Sequence, residues 1–422
     1  MHEDAHWTGG VNVCAMRSRR SNAYFRTHRL EHRRSFPMTQ IATSHRVSAL
    51  LLTALATLFL TACANWSQAP APENTTPSTI SLRLIGERTI PHRAELAGTT
   101  FGGISGMDYD EARDVFYLLS DDRSQTGPAR FYTARIPVSA TELGAPQILS
   151  AIAIKKADGG LPGDARSDPV NVLDPESIRY RRTTDTLLWT SEGDKRLGLS
   201  PFVREMRLDG SFVRELPTLP MFVMRDGERG PRDNATFEAM SFTPGQASFW
   251  VAMEGPLFED GATPTAESGA PIRITHYDTM TGKALRQFAY RLDALPHRPM
   301  PPTGFADNGA PEILMFDEHR MLVLERSFAQ GIGNSIRIYV VDTREGSDTL
   351  SLSALNGTTY RVAEKRLVLN FDSLNLMRLD NTEAMSFGPR LPNGNRTLIV
   401  ASDDNFNRNQ INQFLAFEIV VK

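Results

Sequence analysis

The chain is poor in the residues that many enzymes use as nucleophiles or transition-metal ligands. It has two cysteines in 422 residues, Cys14 and Cys63, and once an N-terminal leader is removed it can form no internal disulfide. Stability must then come from packing and closure, even in an oxidising compartment. Of nine histidines only His92, His276, His297 and His319 lie beyond residue 62, and none falls in a cluster of acids. No G-x-S-x-G elbow, P-loop or G-x-G-x-x-G is present, so serine chemistry of the α/β-hydrolase kind and nucleotide binding lack support. There is also no basic stripe with interleaved aromatics, and nucleic acid is not an expected partner.

Long apolar runs are missing with one exception, Val47 to Leu60. At 14 residues it is shorter than the roughly 20 needed to cross a bilayer as a helix. It follows a short polar stretch from Met38 with Arg46 and ends in Leu60-Thr61-Ala62-Cys63, the order of a secretory signal. Leu-Thr-Ala-Cys resembles the lipobox of bacterial lipoproteins, which implies lipidation of Cys63 after cleavage. Ala64 stands where an inner-membrane retention signal usually has Asp, which favours the outer membrane. Residues 1–37 carry seven arginines and little apolar periodicity and are read as an extension ahead of the true start. Residues 38–62 are then the signal peptide, and 63–81, rich in Pro, Ser, Thr and Ala, the lipidated cysteine and a flexible tether. Loss of residues 1–62, with eight arginines and three acids, moves the formal charge from −3 to −8. The expectation is a periplasm-facing envelope lipoprotein, monomeric, touching the membrane only through its anchor, with cations as natural partners.

What the rest of the chain has is an internal repeat. Five segments align, beginning at Gly103, Asp174, Ala235, Ala310 and Asn381. Each reads as a strand, a polar turn, a second apolar strand and an acid cluster. The units recur every 62 to 74 residues, counted at Ser105, Glu176, Glu238, Glu312 and Glu383. Further strands follow, joined by tight turns such as Asp209-Gly210, a strong hairpin signal between alternating apolar runs. Four antiparallel strands per unit make a propeller blade. The last unit lacks its fourth strand, which SLRLIGERTI at 81–90 can supply, closing the ring and hiding the sheet edges. The expected fold is an all-β propeller over 82–422, with a sandwich or an open repeat array as alternatives. Five blades account for the visible strands, and a sixth would have to lie in the loops near 155–173 or 291–310.

Acids open the first strand of most units and end the second: Glu176 with Glu192, Glu238 with Glu254, Glu312 with Glu325, and Glu383 with Asp403. The first unit has Ser105 with Asp121. Hairpin geometry brings each pair to one end of its blade, and a propeller gathers those ends around one channel mouth. Clustered like charges need a counter-charge, and oxygen ligands without Cys or His suit Ca²⁺ better than Zn²⁺. Asp121, Glu176, Glu192, Glu238, Glu254, Glu312, Glu325, Glu383 and Asp403 are therefore the candidate metal ligands. Arg123, Arg326 and Arg408 follow acids closely and are candidates to hold an oxyanion, equally well read as partners of those acids.

The matching stretches FGGISGMDYD with YLLSDDR, DPESIRY with WTSEGD, FEAMSF with VAMEGPLFEDG, MLVLERSF, and NTEAMSF with ASDDNF resemble the phytase-like family, "esterase-like activity of phytase", of secreted bacterial proteins. The resemblance runs from about Phe101 to Phe417. It implies a propeller and a metal-dependent hydrolase of phosphate or other small-molecule esters, by analogy with calcium-dependent propeller phytases. Those have six blades where five are counted here. A non-catalytic propeller that binds a ligand or partner and a lactonase-type propeller hydrolase are the alternatives.

Overall fold

In the computed structural model of the chain, residues 79–422 are described. The expected extension, the signal segment, Cys63 and nearly all of the tether lie outside them. Five four-stranded antiparallel sheets make up the described residues, with a short two-stranded ribbon at Glu95–Leu96 and Thr99–Thr100, three 3₁₀ turns and no α-helix. Blade 1 consists of Ile104–Asp110, Val115–Ser120, Arg130–Arg135 and Gln147–Ala153. Blade 2 consists of Pro175–Arg181, Thr186–Ser191, Phe202–Arg207 and Phe212–Glu215. Blade 3 holds Phe237–Phe242, Ser248–Met253, Pro271–Asp278 and Ala284–Arg291. Blade 4 holds Ala306–Met315, Arg320–Ala329, Gly333–Asp342 and Lys365–Asn370. No strand occupies 155–173, and residues 306–310 belong to the first strand of blade 4, so among the described residues there is no sixth blade.

Blade 5 closes the circle as expected. Thr382–Arg390, Arg396–Ser402 and Asn412–Val421 are completed by Ile80–Ile90, which pairs with the C-terminal strand from Ile80 against Val421 to Ile90 against Asn412. The first strands are innermost and touch one another in blade order around the ring, the fifth against the first. Asp209-Gly210 forms the predicted tight turn, with Gly210 at a φ of +78° that a residue with a Cβ rarely adopts.

The apolar core lies between the blades. Phe116, Met107 and Phe414 pack blade 5 on blade 1, Tyr117, Ile178 and Trp189 blade 1 on blade 2, and Phe249, Ile274 and Met321 blade 3 on its neighbours. Leu322, Leu398 and Phe417 fill the space between blades 4 and 5. Because apolar side chains are spent on these blade-to-blade layers, the axis is left to polar residues.

Candidate active site

One local irregularity recurs at the same place in four blades. The ladder between first and second strand slips by one residue at Ser105 in blade 1, at Glu176 and Ser177 in blade 2, at Glu238 in blade 3 and at Glu383 in blade 5. Such a β-bulge leaves the extra residue unpaired and re-aims its side chain. The second acid of each blade comes directly after the second strand, at Asp121, Glu192, Glu254 and Asp403. Its N–H donates to the carbonyl of Gly103, Asp174, Thr236 or Asn381, at 2.7 to 2.9 Å. Bulge and backbone clamp together hold two side chains per blade at one end of the channel.

The result is a buried carboxylate cluster. Asp174, Glu176 and Glu192 bring carboxylate oxygens within 4.8 Å of one another, and so do Glu192, Glu238 and Glu254. Glu192 belongs to both groups, and its Oε1 accepts the Thr236 N–H at 2.6 Å. Glu383 accepts from Asn381 at 2.9 Å and from the Ser105 hydroxyl at 3.2 Å, so the one bulge without an acid supplies a donor instead. Asp403 also accepts from Asn381, at 3.3 Å.

Burial first, and the neighbouring negative charges second, push Asp121, Glu176, Glu192, Glu238 and Asp403 well above the ordinary carboxylate range. Glu383 is pushed up by burial. Burial raises Glu254 and Asp174 to about 7 even though Arg326 and Arg123, respectively, pull them down. Eight carboxylates thus share one site with the two guanidinium groups of Arg123 and Arg326.

Blade 4 departs from the pattern. Its first two strands are ten residues long, and its bulge falls at Ala310 and Pro311, leaving Glu312 in register opposite Leu324. Glu312 therefore does not join the carboxylate cluster. It pairs with Arg179 at 2.7 Å, and Arg179 also donates to the carbonyls of Met107, Ile313 and Met385. A guanidinium from blade 2 thus ties together the first strands of blades 1, 4 and 5. Burial lifts Glu312 to about 8 against the pull of Arg179.

Glu325 is likewise outside the cluster. It is bound by Lys365, the Tyr290 hydroxyl at 2.7 Å, the Asp293 N–H at 3.0 Å and Asn308 at 3.1 Å. What blade 4 gives the site is Arg326, which reaches Glu254 at 2.9 Å, Asp307 at 3.0 Å and Glu383 at 3.4 Å. Arg123 reaches from blade 1 to Asp194 at 2.5 Å and Asp174 at 3.3 Å. Arg408 is exposed and does not line the cavity above the cluster.

The family model described as phytase-like, esterase-like activity of phytase, matches residues 99–406. The chain belongs to the phytase-like family. No curated protein matches it. Solved structures similar to this phytase-like chain include a periplasmic gluconolactonase of Pseudomonas aeruginosa, at 11% identity and a TM-score of 0.33 over 81% of this chain and 99% of that one. A thermostable family-43 glycoside hydrolase has 11% identity and a TM-score of 0.41 over 78% and 95%. The catalytic domain of a GH62 α-L-arabinofuranosidase of Coprinopsis cinerea has 9% and 0.40 over 81% and 96%.

The residues of this phytase-like site fit a hard cation. Every potential ligand is an oxygen, and two buried carboxylate atoms, Asp121 Oδ1 and Glu238 Oε2, have no hydrogen-bond partner. Buried polar atoms are seldom left unpaired, and such atoms are commonly met by a water or an ion. Above the cluster opens a cavity of about 1190 Å³, lined among others by Asp121, Asp174, Glu176, Glu238, Arg326 and Glu383.

Three participants were not singled out from the sequence. Asp174 and Asn381 each stand two residues before a bulge acid, inside motifs already in view, and that shared offset was a usable signal. Asp307 had none. The second acid of each Asp-Asp pair is structural: Asp122 caps the loop at Gln125, Thr126 and Gly127 and pairs with Arg130. Asp404 ties Gly103 and His92 to blade 5.

Proposed function

We propose that this protein is an exported lipoprotein, anchored through Cys63 and facing the periplasm from the outer membrane, whose propeller hydrolyses phosphate or other esters with the help of Ca²⁺. The observation that carries the reading is the pair of carboxylate triads sharing Glu192, with unpartnered oxygens on Asp121 and Glu238 and a guanidinium beside them. Asp121, Asp174, Glu176, Glu192, Glu238, Glu254, Glu383 and Asp403 would hold the ion or ions. A cation bound there would supply Lewis-acid activation of water and of the ester group.

The chain's own residues do the rest. Arg326, fixed by Glu254 and Asp307, is placed to meet charge that develops on a reacting oxyanion, and Arg123 does so from the other side. Glu254 and Asp174, which burial raises to about 7, are in the range suited to taking a proton from an attacking water when the ion leaves them free. The cavity above the carboxylates makes the site a cup, open to substrate and product at its mouth.

Release of phosphate and of p-nitrophenol from simple esters by the purified protein, with and without chelator, tests this. Turnover that chelator abolishes and Ca²⁺ restores is expected. Tight Ca²⁺ binding with no turnover of any ester would leave a ligand-binding propeller and remove the hydrolytic reading.

A further inference from the structure

The mouth of the cup has two unlike sides. Gln125, Thr126 and Asn234 line it beside blades 1 to 3, whereas beside blades 4 and 5 Phe305, Phe328, Ile332, Leu376, Met377 and Phe406 line it, interspersed with polar residues such as Asn334, Arg378 and Asn407. Large apolar side chains gathered at the surface mark a place where something is bound. Phe305 is 62% exposed, Ile332 50%, and Met377 entirely. The fold builds this wall on purpose: the second strand of blade 4 runs ten residues where those of blades 1, 2 and 3 run six. The added length carries Phe328 and the turn at Ile332 beyond the carboxylates.

Side chains two apart on a strand share a face, so Phe328 lies on the same side as Arg326. Its ring packs 6.3 Å from that of Phe305. A site that joins a charged floor to an apolar wall, in one cavity of about 1190 Å³, is larger than a cation and a phosphate group need. The floor also offers a polyanion little: only two guanidinium groups, Arg123 and Arg326, stand beside the eight carboxylates, so phosphates beyond the one a cation takes find few positive partners.

We propose that the wall holds the apolar body of the substrate, so that the cup acts on amphiphilic monoesters, a single ester head on an alkyl or aryl chain, and not on multiply phosphorylated polyols. This rests on the reading of the cup as a hydrolytic site, and a binding measurement separates the two. The full chain carrying Cys63→Ser, which has no acyl chain of its own to compete for the wall, is titrated calorimetrically with methyl-, butyl- and octylphosphonate in Ca²⁺.

A fully buried methylene is worth about a fourfold gain in affinity. Octylphosphonate is therefore expected to bind at least about a hundredfold more tightly than methylphosphonate, the wall being partly open. Phe328→Ser and Ile332→Ser each flatten that rise, the loss falling on the long chains. A flat series in the unsubstituted wall, an equally steep series in both variants, or tighter binding of inositol hexakisphosphate than of octylphosphonate overturns the proposal. So does a flat series accompanied by binding to phosphatidylcholine vesicles that both variants lose, which assigns the wall to a membrane surface. Chain-length-dependent binding without chelator-sensitive turnover supports the wall while removing the hydrolytic reading; turnover without chain-length dependence does the reverse.

Discussion

At the scale of single residues, what matters is which acids share their charge and which have a partner of their own. Glu238 belongs to the first kind: its Oε2 has no donor and its carboxyl is driven up by burial and by Glu192 and Glu254. Glu238→Gln keeps the shape and removes a charge that the empty cup cannot neutralise. The expected outcome is Ca²⁺ affinity lowered at least tenfold by calorimetry, with a melting temperature at pH 8 in chelator equal to or above that of the parent. Glu312 belongs to the second kind, and its partner Arg179 also serves three carbonyls. Arg179→Met leaves a buried acid alone, at a cost of about 3–5 kcal/mol, read as a lowered urea midpoint. Adding Glu312→Leu recovers part of the loss, because the acid no longer needs a partner while the carbonyls of Met107, Ile313 and Met385 still do.

At the scale of strands and turns, the site depends on where each ladder slips. The repeat was legible because every blade restates strand, polar turn, strand and acid, and the acids of blades 1, 2, 3 and 5 meet as that spacing requires. Blade 4 was misread for a physical reason. Pro311-Glu312 copies Pro175-Glu176 in sequence, but the bulge takes in Glu176 and passes just before Glu312, and nothing local in the sequence encodes which residue a bulge expels. The arginines were legible as oxyanion holders or as partners of acids. In the structure Arg123 and Arg326 do pair with acids, Arg123 with two of blade 2 and Arg326 with acids of blades 3, 4 and 5, and neither with the acid beside it in sequence. In the lengthened hairpin of blade 4, Gly309 faces the cluster. A Cβ there would lie 2.5 Å from both Cγ and Oε1 of Glu254, closer than real contacts allow. Its φ needs no glycine, so Gly309→Ala acts by displacing Glu254 and loosening Arg326. Ca²⁺ affinity and turnover are expected to fall about tenfold or more while the melting temperature moves by only a few degrees, measured by calorimetry and thermal denaturation. A fall in stability with unchanged Ca²⁺ affinity would show that this close approach does not set the position of Glu254.

At the scale of the whole molecule, closure and charge pull against each other. The ring is sealed by pairing Ile80–Ile90 with Asn412–Val421, and the same closure drives eight carboxylates together at the axis. Without a cation, such groups fold best when protonated. Glu254 and Asp174 are raised to about 7 by burial, above the roughly 4 of an unfolded carboxylate. Between those values the folded chain binds more protons than the unfolded one, so stability falls as pH rises from about 4 to about 7. The acids raised further extend that fall to higher pH. The protein in chelator should therefore be more stable at pH 5.5 than at pH 8, by on the order of a few kcal/mol once the coupling of neighbouring sites is allowed for, and melt at a correspondingly higher temperature. Ca²⁺ replaces the protons as counter-charge, so saturating Ca²⁺ should abolish or reverse the dependence, and its binding at pH 6.5 should release protons into a weakly buffered solution. Melting curves across pH with and without Ca²⁺ decide the matter: a chelated protein most stable at pH 8 would mean that the carboxylates are neutralised by their own arginines, and the electrostatic case for a cation at the axis would fail.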